Sequence, residues 1–142
     1  MDYIVSAEAV FKNIRMLGRH VTMRNMTGVS KGEMAILGYL HFVHDGATAG
    51  ELSETSCVVS SRIAAVLNAL EKKGWAVRKP DPKDKRRVLV YITESGRRTV
   101  EVKYKEVIEG IAHTLSVIGE EDTEVLLRIL GKLAAHEENA VV

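Results

Sequence analysis

A chain of 142 residues, 46% of them hydrophobic and only two of them proline, has room for one compact unit with helical arms and excludes both a disordered chain and a fibrous repeat. The formal net charge of +1 conceals a division, because residues 60–98 hold eleven Lys and Arg against four Asp and Glu, which leaves the rest of the chain acidic. The asymmetry points a polyanion at one face, and this reading is favoured over a merely solvated charge run because the basic stretch coincides with a helix and a hairpin.

No apolar run approaches the roughly 18 residues of a membrane span, and Met1-Asp2-Tyr3 does not begin a basic, apolar signal region, so a cytoplasmic protein without membrane contact is expected. Cys57 is the single cysteine, which rules out an internal disulfide and agrees with a reducing compartment.

In chain order, Ser6 to Met26 carries Ala7, Val10, Phe11, Ile14, Leu17 and Val21 at steps of three and four, an amphipathic helix set apart by Thr27-Gly28. Ser30 followed by Glu33 reads as a capping box that launches Met34, Leu37, Leu40 and Val43 and ends near His44-Asp45-Gly46. Thr48 caps a short helix, Ala49 to Thr55, with Leu52 turned inward. After the Thr55-Ser56-Cys57 turn, Ile63, Val66, Leu67 and Leu70 repeat at helical spacing, with Gly74 as a stop. These three segments compose a helix-turn-helix.

Val77 on one side, and Val88, Val90 and Ile92 on the other, give strands flanking the basic stretch 79–87, whose Pro80 and Pro82 set a turn. Thr93 then caps a long helix with a stripe of Val100, Tyr104, Val107, Ile108, Ile111, Leu115 and Ile118. Gly119 ends it, and Glu120-Glu121-Asp122 places carboxylates at the positive end of a last helix bearing Leu126, Ile129, Leu130 and Leu133. Three amphipathic helices at the two chain ends most simply bury their stripes across a two-fold axis. The fold class is therefore mainly α with a small β-hairpin: a basic helix-turn-helix core flanked by N- and C-terminal dimerisation helices.

With the apolar side of the 60–72 helix inward, Ser60, Ser61, Arg62, Ala65 and Asn68 lie on or beside the opposite side, as does Ala69. A helix entering a major groove presents its first turns to base edges, where Ser and Asn hydrogen-bond, Arg takes guanine and Ala meets a thymine methyl. One of Ser60 and Ser61 is also expected to be the N-cap.

Glu51-Leu52-Ser53, Leu70-Glu71-Lys72-Lys73-Gly74-Trp75, Arg78, Asp81-Pro82, Asp84-Lys85-Arg86 and Thr93-Glu94-Ser95-Gly96 stand in an order and spacing that resembles the winged-helix core of the multiple-antibiotic-resistance regulator (MarR) family. The resemblance implies one domain, 1–142, with a DNA-binding lobe at 30–92 and a helical dimerisation region at 1–29 and 93–142. It implies a homodimeric, sequence-specific transcription regulator, a repressor of a pseudo-palindromic operator on double-stranded DNA, released by a small aromatic or anionic effector. In that family an arginine two residues after the wing aspartate enters the minor groove, which here is Arg86 after Asp84. Lys83, Lys85 and Arg87 would contact phosphates, and Asp84 would either orient the wing by pairing with an arginine or hold its own turn, two readings of equal weight. Where many relatives carry a polar residue followed by arginine, this chain has Ala64-Ala65, and Arg62 stands about a turn earlier.

The effector would sit near His20, Met23, Met26, Met34, Tyr39 and His41, although a Met-rich stripe is more often core than pocket. His41 and His44 share a helical face, but two ligands do not make a zinc site, and an ordinary histidine pair is preferred. Cys57 is read as a small, partly buried residue rather than a redox switch. No cofactor or metal is expected, and no catalytic motif is present in the sequence. The competing function is a winged-helix protein-interaction module, which sequence-specific, salt-dependent duplex binding would distinguish from the regulator.

Overall fold

In the computed structural model the described residues are 1–21, 28–56 and 58–140, with the backbone alone at 19–21 and 137–140. They form helices α1 (Tyr3–Val21), α2 (Lys31–Phe42), α3 (Ala49–Thr55) and α4 (Ser60–Lys72), strands β1 (Ala76–Pro80) and β2 (Val88–Ile92), then helices α5 (Glu94–Ile118) and α6 (Glu120–Ala140). The chain divides into a unit of residues 1–106 and a unit of residues 107–142.

Helix α1 begins three residues before the apolar stripe suggests, because Asp2 Oδ1 accepts the Ile4 N–H at 2.9 Å and so caps the first turn. Its expected end at Met26 lies outside the described residues. Helix α2 starts as its sequence predicts, with Ser30 Oγ accepting the Glu33 N–H at 3.1 Å. Only that half of the capping box forms, because the Glu33 carboxylate turns away to the Lys73 ammonium at 2.6 Å. Past α2 the chain reverses at Gly46, where φ is +80° and a Cβ would stand 2.8 Å from the Tyr91 ring. A glycine is needed there on both counts. Thr48 then caps α3 through the Glu51 N–H, also as expected.

The start of α4 differs from the expectation. The N-cap is Val59, which offers no side-chain hydrogen bond, so Ser60 and Ser61 are the first two helical residues and neither is the cap. The far end closes as a full Schellman motif: the Trp75 N–H reaches Leu70 O and the Gly74 N–H reaches Glu71 O, each at 2.9 Å, with Gly74 at φ +73°. The chain is thereby redirected into β1, which pairs antiparallel with β2 from Ala76↔Ile92 to Pro80↔Val88. Proline at the last position of β1 removes no inner ladder bond. Ala47 adds a bridge to Val90, so the loop after α2 lies against β2.

Ile36, Leu37 and Leu40 of α2, Leu52 of α3, Ile63, Leu67 and Leu70 of α4, Ala76, Val90 and Ile92 of the strands and Val100 of α5 form one buried cluster. Each large aliphatic side chain there contributes roughly 2 kcal/mol by leaving water. Thr93 joins α5 to this core twice, accepting the Gly96 N–H at 3.0 Å and donating to Gly74 O at 2.6 Å. By contrast α1 keeps its apolar stripe in solvent, with Phe11 69% and Ile14 62% exposed.

In the second unit, Gly119 at φ +86° separates the end of α5 from α6, and the Thr123 hydroxyl bonds Gly119 O at 2.6 Å. Among its described residues α6 has no buried side chain, and Leu127, Leu130 and Leu133 all stay exposed. No helix among the described residues is long and apolar enough to cross a membrane.

Candidate nucleic-acid interface

The two sides of α4 differ in chemistry. Ile63, Leu67 and Leu70 face the core, while Ser60, Ser61, Arg62, Ala64, Ala65 and Asn68 are exposed. Because no side chain caps the first turn, the N–H groups and hydroxyls of Ser60 and Ser61 are presented together beside the Arg62 side chain, while the Arg62 N–H is held by Val59 O at 2.8 Å, a combination suited to a phosphate or a base edge.

Asn68 is the exception on this exposed side, because it already has a partner. Its Oδ1 accepts from an Arg78 terminal nitrogen at 2.5 Å, while Arg78 Nε donates to Glu71 Oε1 at 2.5 Å. One guanidinium on β1 thus holds two residues of α4 and ties the helix to the strand. In the sequence Arg78 is marked by its charge and by its place in the winged-helix pattern. Its pairing across the Gly74 reversal carries no periodic signal and depends on where the Schellman motif aims the strand.

At the tip between the strands, Asp81 and Asp84 organise a basic turn. The Asp81 N–H bonds Arg87 O and the Arg87 N–H bonds Asp84 O, each at 2.9 Å. Asp81 Oδ1 accepts the Lys83 N–H, and Asp84 Oδ1 accepts the Arg86 N–H at 3.1 Å. The Asp84 carboxylate also receives the Arg86 side chain, at 3.1 Å to Nε and 3.3 Å to the terminal nitrogen. Both functions considered for Asp84, holding its own turn and pairing with an arginine, are therefore present at once. The Arg86 guanidinium, followed by its backbone N–H, draws the Asp84 carboxyl below the ordinary carboxylate range. Lys83, Lys85, Arg86 and Arg87 all project into solvent, with the Arg86 side chain 91% exposed.

The residues considered for an effector are distributed differently. Met34 and Tyr39 pack against the core, and the Tyr39 hydroxyl donates to Glu51 Oε1 at 2.8 Å, where His44 Nδ1 also lies at 2.8 Å. Hydrogen bonding to His44 and then to Tyr39 holds the Glu51 carboxyl below its usual range, and the same carboxylate pushes the Tyr39 phenol up. His41 lies between Arg97, 3.2 Å from its Nδ1, and Glu101, 3.2 Å from its Nε2. Arg97 continues to Asp45, whose other oxygen accepts the Ile92 N–H of β2. His20 is described for its backbone alone, and Met23, Met26 and Cys57 lie outside the described residues. A cleft of about 600 Å³ lies elsewhere, between the start of α2 and α4, lined by Lys31, Gly32, Val58, Arg62 and Val66 among others.

A helix-turn-helix with a basic two-stranded hairpin on its recognition helix defines a winged-helix DNA-binding protein. Residues 29–88 match the MarR family model. The uncharacterised HTH-type transcriptional regulator YkoM of Bacillus subtilis (strain 168) is 27% identical over 112 residues, spanning 79% of this chain and 72% of that protein. The HTH-type transcriptional repressor MdtR of the same organism is 26% identical over 141 residues, 96% of this chain and 86% of that protein. A MarR family protein from Bacillus stearothermophilus has the same fold, with a TM-score of 0.79 over 97% of this chain and 99% of that one at 22% identity. Residues 29–88 thus match the MarR family, and the relatives that the chain resembles over most of its length are HTH-type transcription regulators.

Proposed function

We propose that the chain is a homodimeric repressor that binds a pseudo-palindromic operator and releases it when a small aromatic or anionic effector binds. The observation that carries this reading is the exposed side of α4, Ser60, Ser61, Arg62, Ala65 and Asn68, with the cationic wing of Lys83, Lys85, Arg86 and Arg87 in the turn between the two strands that follow it. Each protomer would place α4 in a major groove and Arg86 in the flanking minor groove, where a narrow A·T-rich groove concentrates negative potential and a guanidinium is less costly to dehydrate than an ammonium. Asp84 would preorganise that arginine, and Lys83, Lys85 and Arg87 would add phosphate contacts that raise affinity without choosing sequence.

Dimerisation is supported by the apolar residues that a single copy leaves in water on α1 and on α6. In this reading 30–92 is the DNA-binding lobe, and 1–29 with 93–142 form the dimerisation region. Repression is the role named for MdtR. The effector would bind near Met34, Tyr39 and His41 of α2, together with His20 and Met23. The phenol and the imidazole held by Glu51, Arg97 and Glu101 support this, as polar groups beside partly buried apolar ones.

Selection of bound sequences from a random duplex pool at two salt concentrations tests the proposal. An inverted repeat with half-sites about one helical turn apart is the expected result. Retention without any preferred sequence, lost at moderate salt, would replace the repressor with a generic polyanion binder or a protein-interaction module.

A further inference from the structure

We infer that Arg78 fixes the direction in which Asn68 reads a base, so that Asn68 selects keto-bearing bases, guanine and thymine, over the amino-bearing bases adenine and cytosine. The inference rests on the reading of α4 as the helix that enters the major groove.

An asparagine amide has an acceptor and a donor in one plane, and its usual partner is adenine, which it meets with both: Oδ1 accepts from N6 while Nδ2 donates to N7. That geometry requires the two atoms to face one base edge together. Here Oδ1 is turned to β1, where it meets Arg78 at 2.5 Å. The guanidinium has donors only, so the atom it meets must be the oxygen, whichever way the amide would otherwise be placed. Arg78 cannot swing away freely, because Nε of the same group is held by Glu71 and its backbone is fixed in the ladder opposite Val90.

What remains for the groove is Nδ2, with no partner among the described residues, on an exposed side chain. A lone donor is best served by guanine, whose O6 and N7 both accept, and by thymine O4; adenine offers it N7 alone, beside an N6 donor that Oδ1 no longer takes, and cytosine offers only the N4 donor. Asn68 is then the reading residue, and Arg78, which need not touch DNA, is a positioning residue.

The test is to select sequences from one random duplex pool with the wild-type protein and with Asn68→Ala, Arg78→Met and Arg78→Lys, each first checked for a native melting transition. Asn68→Ala identifies the position that Asn68 reads, by flattening the preference there. At that position the wild type should hold guanine or thymine. Arg78→Met should admit adenine with a gain on the order of tenfold relative to the keto bases, because the freed amide can pair with both adenine atoms. Arg78→Lys, which keeps a donor for Oδ1, should restore the wild-type pattern.

Adenine at that position in the wild type would overturn the inference. So would an Asn68→Ala protein with every preference intact, or an Arg78→Met protein weakened equally for all four bases, the mark of a purely structural role. If the wild type enriches no inverted repeat at all, the operator reading itself fails before any variant is compared, and the inference falls with it.

Discussion

Lys73 and Glu33, 40 residues apart in sequence, meet at 2.6 Å, so that the C-cap of α4 is clamped to the first turn of α2. The carboxylate is nearly buried, at 8% exposure, while the lysine side chain is 36% exposed, and the ammonium also bonds Gly28 O at 2.9 Å and lies 4.8 Å from the Trp75 ring centre. Lys73→Met leaves that carboxylate without its counter-charge. It should destabilise the fold by about 2 kcal/mol, less than for a fully buried pair because the lysine end is wet. Urea unfolding at neutral pH measures this, and a midpoint equal to that of the wild type would show that the clamp contributes nothing.

Arg86→Ala should weaken operator binding on the order of tenfold to a hundredfold, while the dimer persists. Its side chain is 91% exposed and bonds only within its own turn, so the fold does not depend on it. Fluorescence anisotropy with the selected operator, paired with sedimentation of the free protein, separates the two quantities. Loss of the dimer would assign the wing a structural task instead.

Gly96→Ala should be among the most damaging single changes in the chain. A Cβ there would lie 2.1 Å from Trp75 O and 2.8 Å from Ile92 Cγ1, and the obstructing carbonyl belongs to backbone tied to Thr93. A loss of about 3 kcal/mol or more is expected. Thermal melting followed by circular dichroism reads it, and a melting point within a degree or so of the wild type's would contradict the packing described.

The wing turn should resist acid. Asp84 titrates below its ordinary range because Arg86 donates to it, and a depressed carboxylate contributes stability that is fully present above its unfolded pKa of about 4. That contribution is lost only as pH falls through the lower folded value. An NMR titration of the Asp84 carboxyl carbon should place its midpoint below the common aspartate value, and Arg86→Ala should raise it. An unchanged midpoint in the variant would mean that the pairing is not the cause.

Deleting residues 124–142 removes most of α6 and its exposed leucines. Sedimentation should then show monomers, and operator affinity should fall with the dimer because two half-sites no longer share one molecule. A truncated protein that still sediments as a dimer would move the interface away from α6.

The caps at Ser30, Thr48 and Thr93 and the stop at Gly74 were legible in the sequence because each is a hydrogen bond within a few residues of chain. The inward side of α4 was legible for the same kind of reason, since helical spacing alone assigns it. Partners chosen in three dimensions were not. Glu33 reads as half of a capping box until Lys73 takes it, and Ser60 reads as a cap until the turn makes Val59 the last non-helical residue. Asn68 looks like a free amide in sequence, and nothing local announces that Arg78 already occupies one end of it. The chain from Glu101 through His41, Arg97 and Asp45 to Ile92 joins residues from α5, α2 and β2, and no spacing rule connects them.

The division of α4 into an inward and an outward side has an evolutionary consequence. Ile63, Leu67 and Leu70 maintain the fold, whereas Ser60, Ser61, Arg62 and Ala65 make no contact on which the core depends. Descendants of such a helix are free to drift at the outward positions, acquiring new targets one residue at a time while the scaffold stays the same. Asn68 alone does not share that freedom, because a replacement there strands Arg78 and Glu71 of a three-residue cluster. Change at that position is expected to come in pairs.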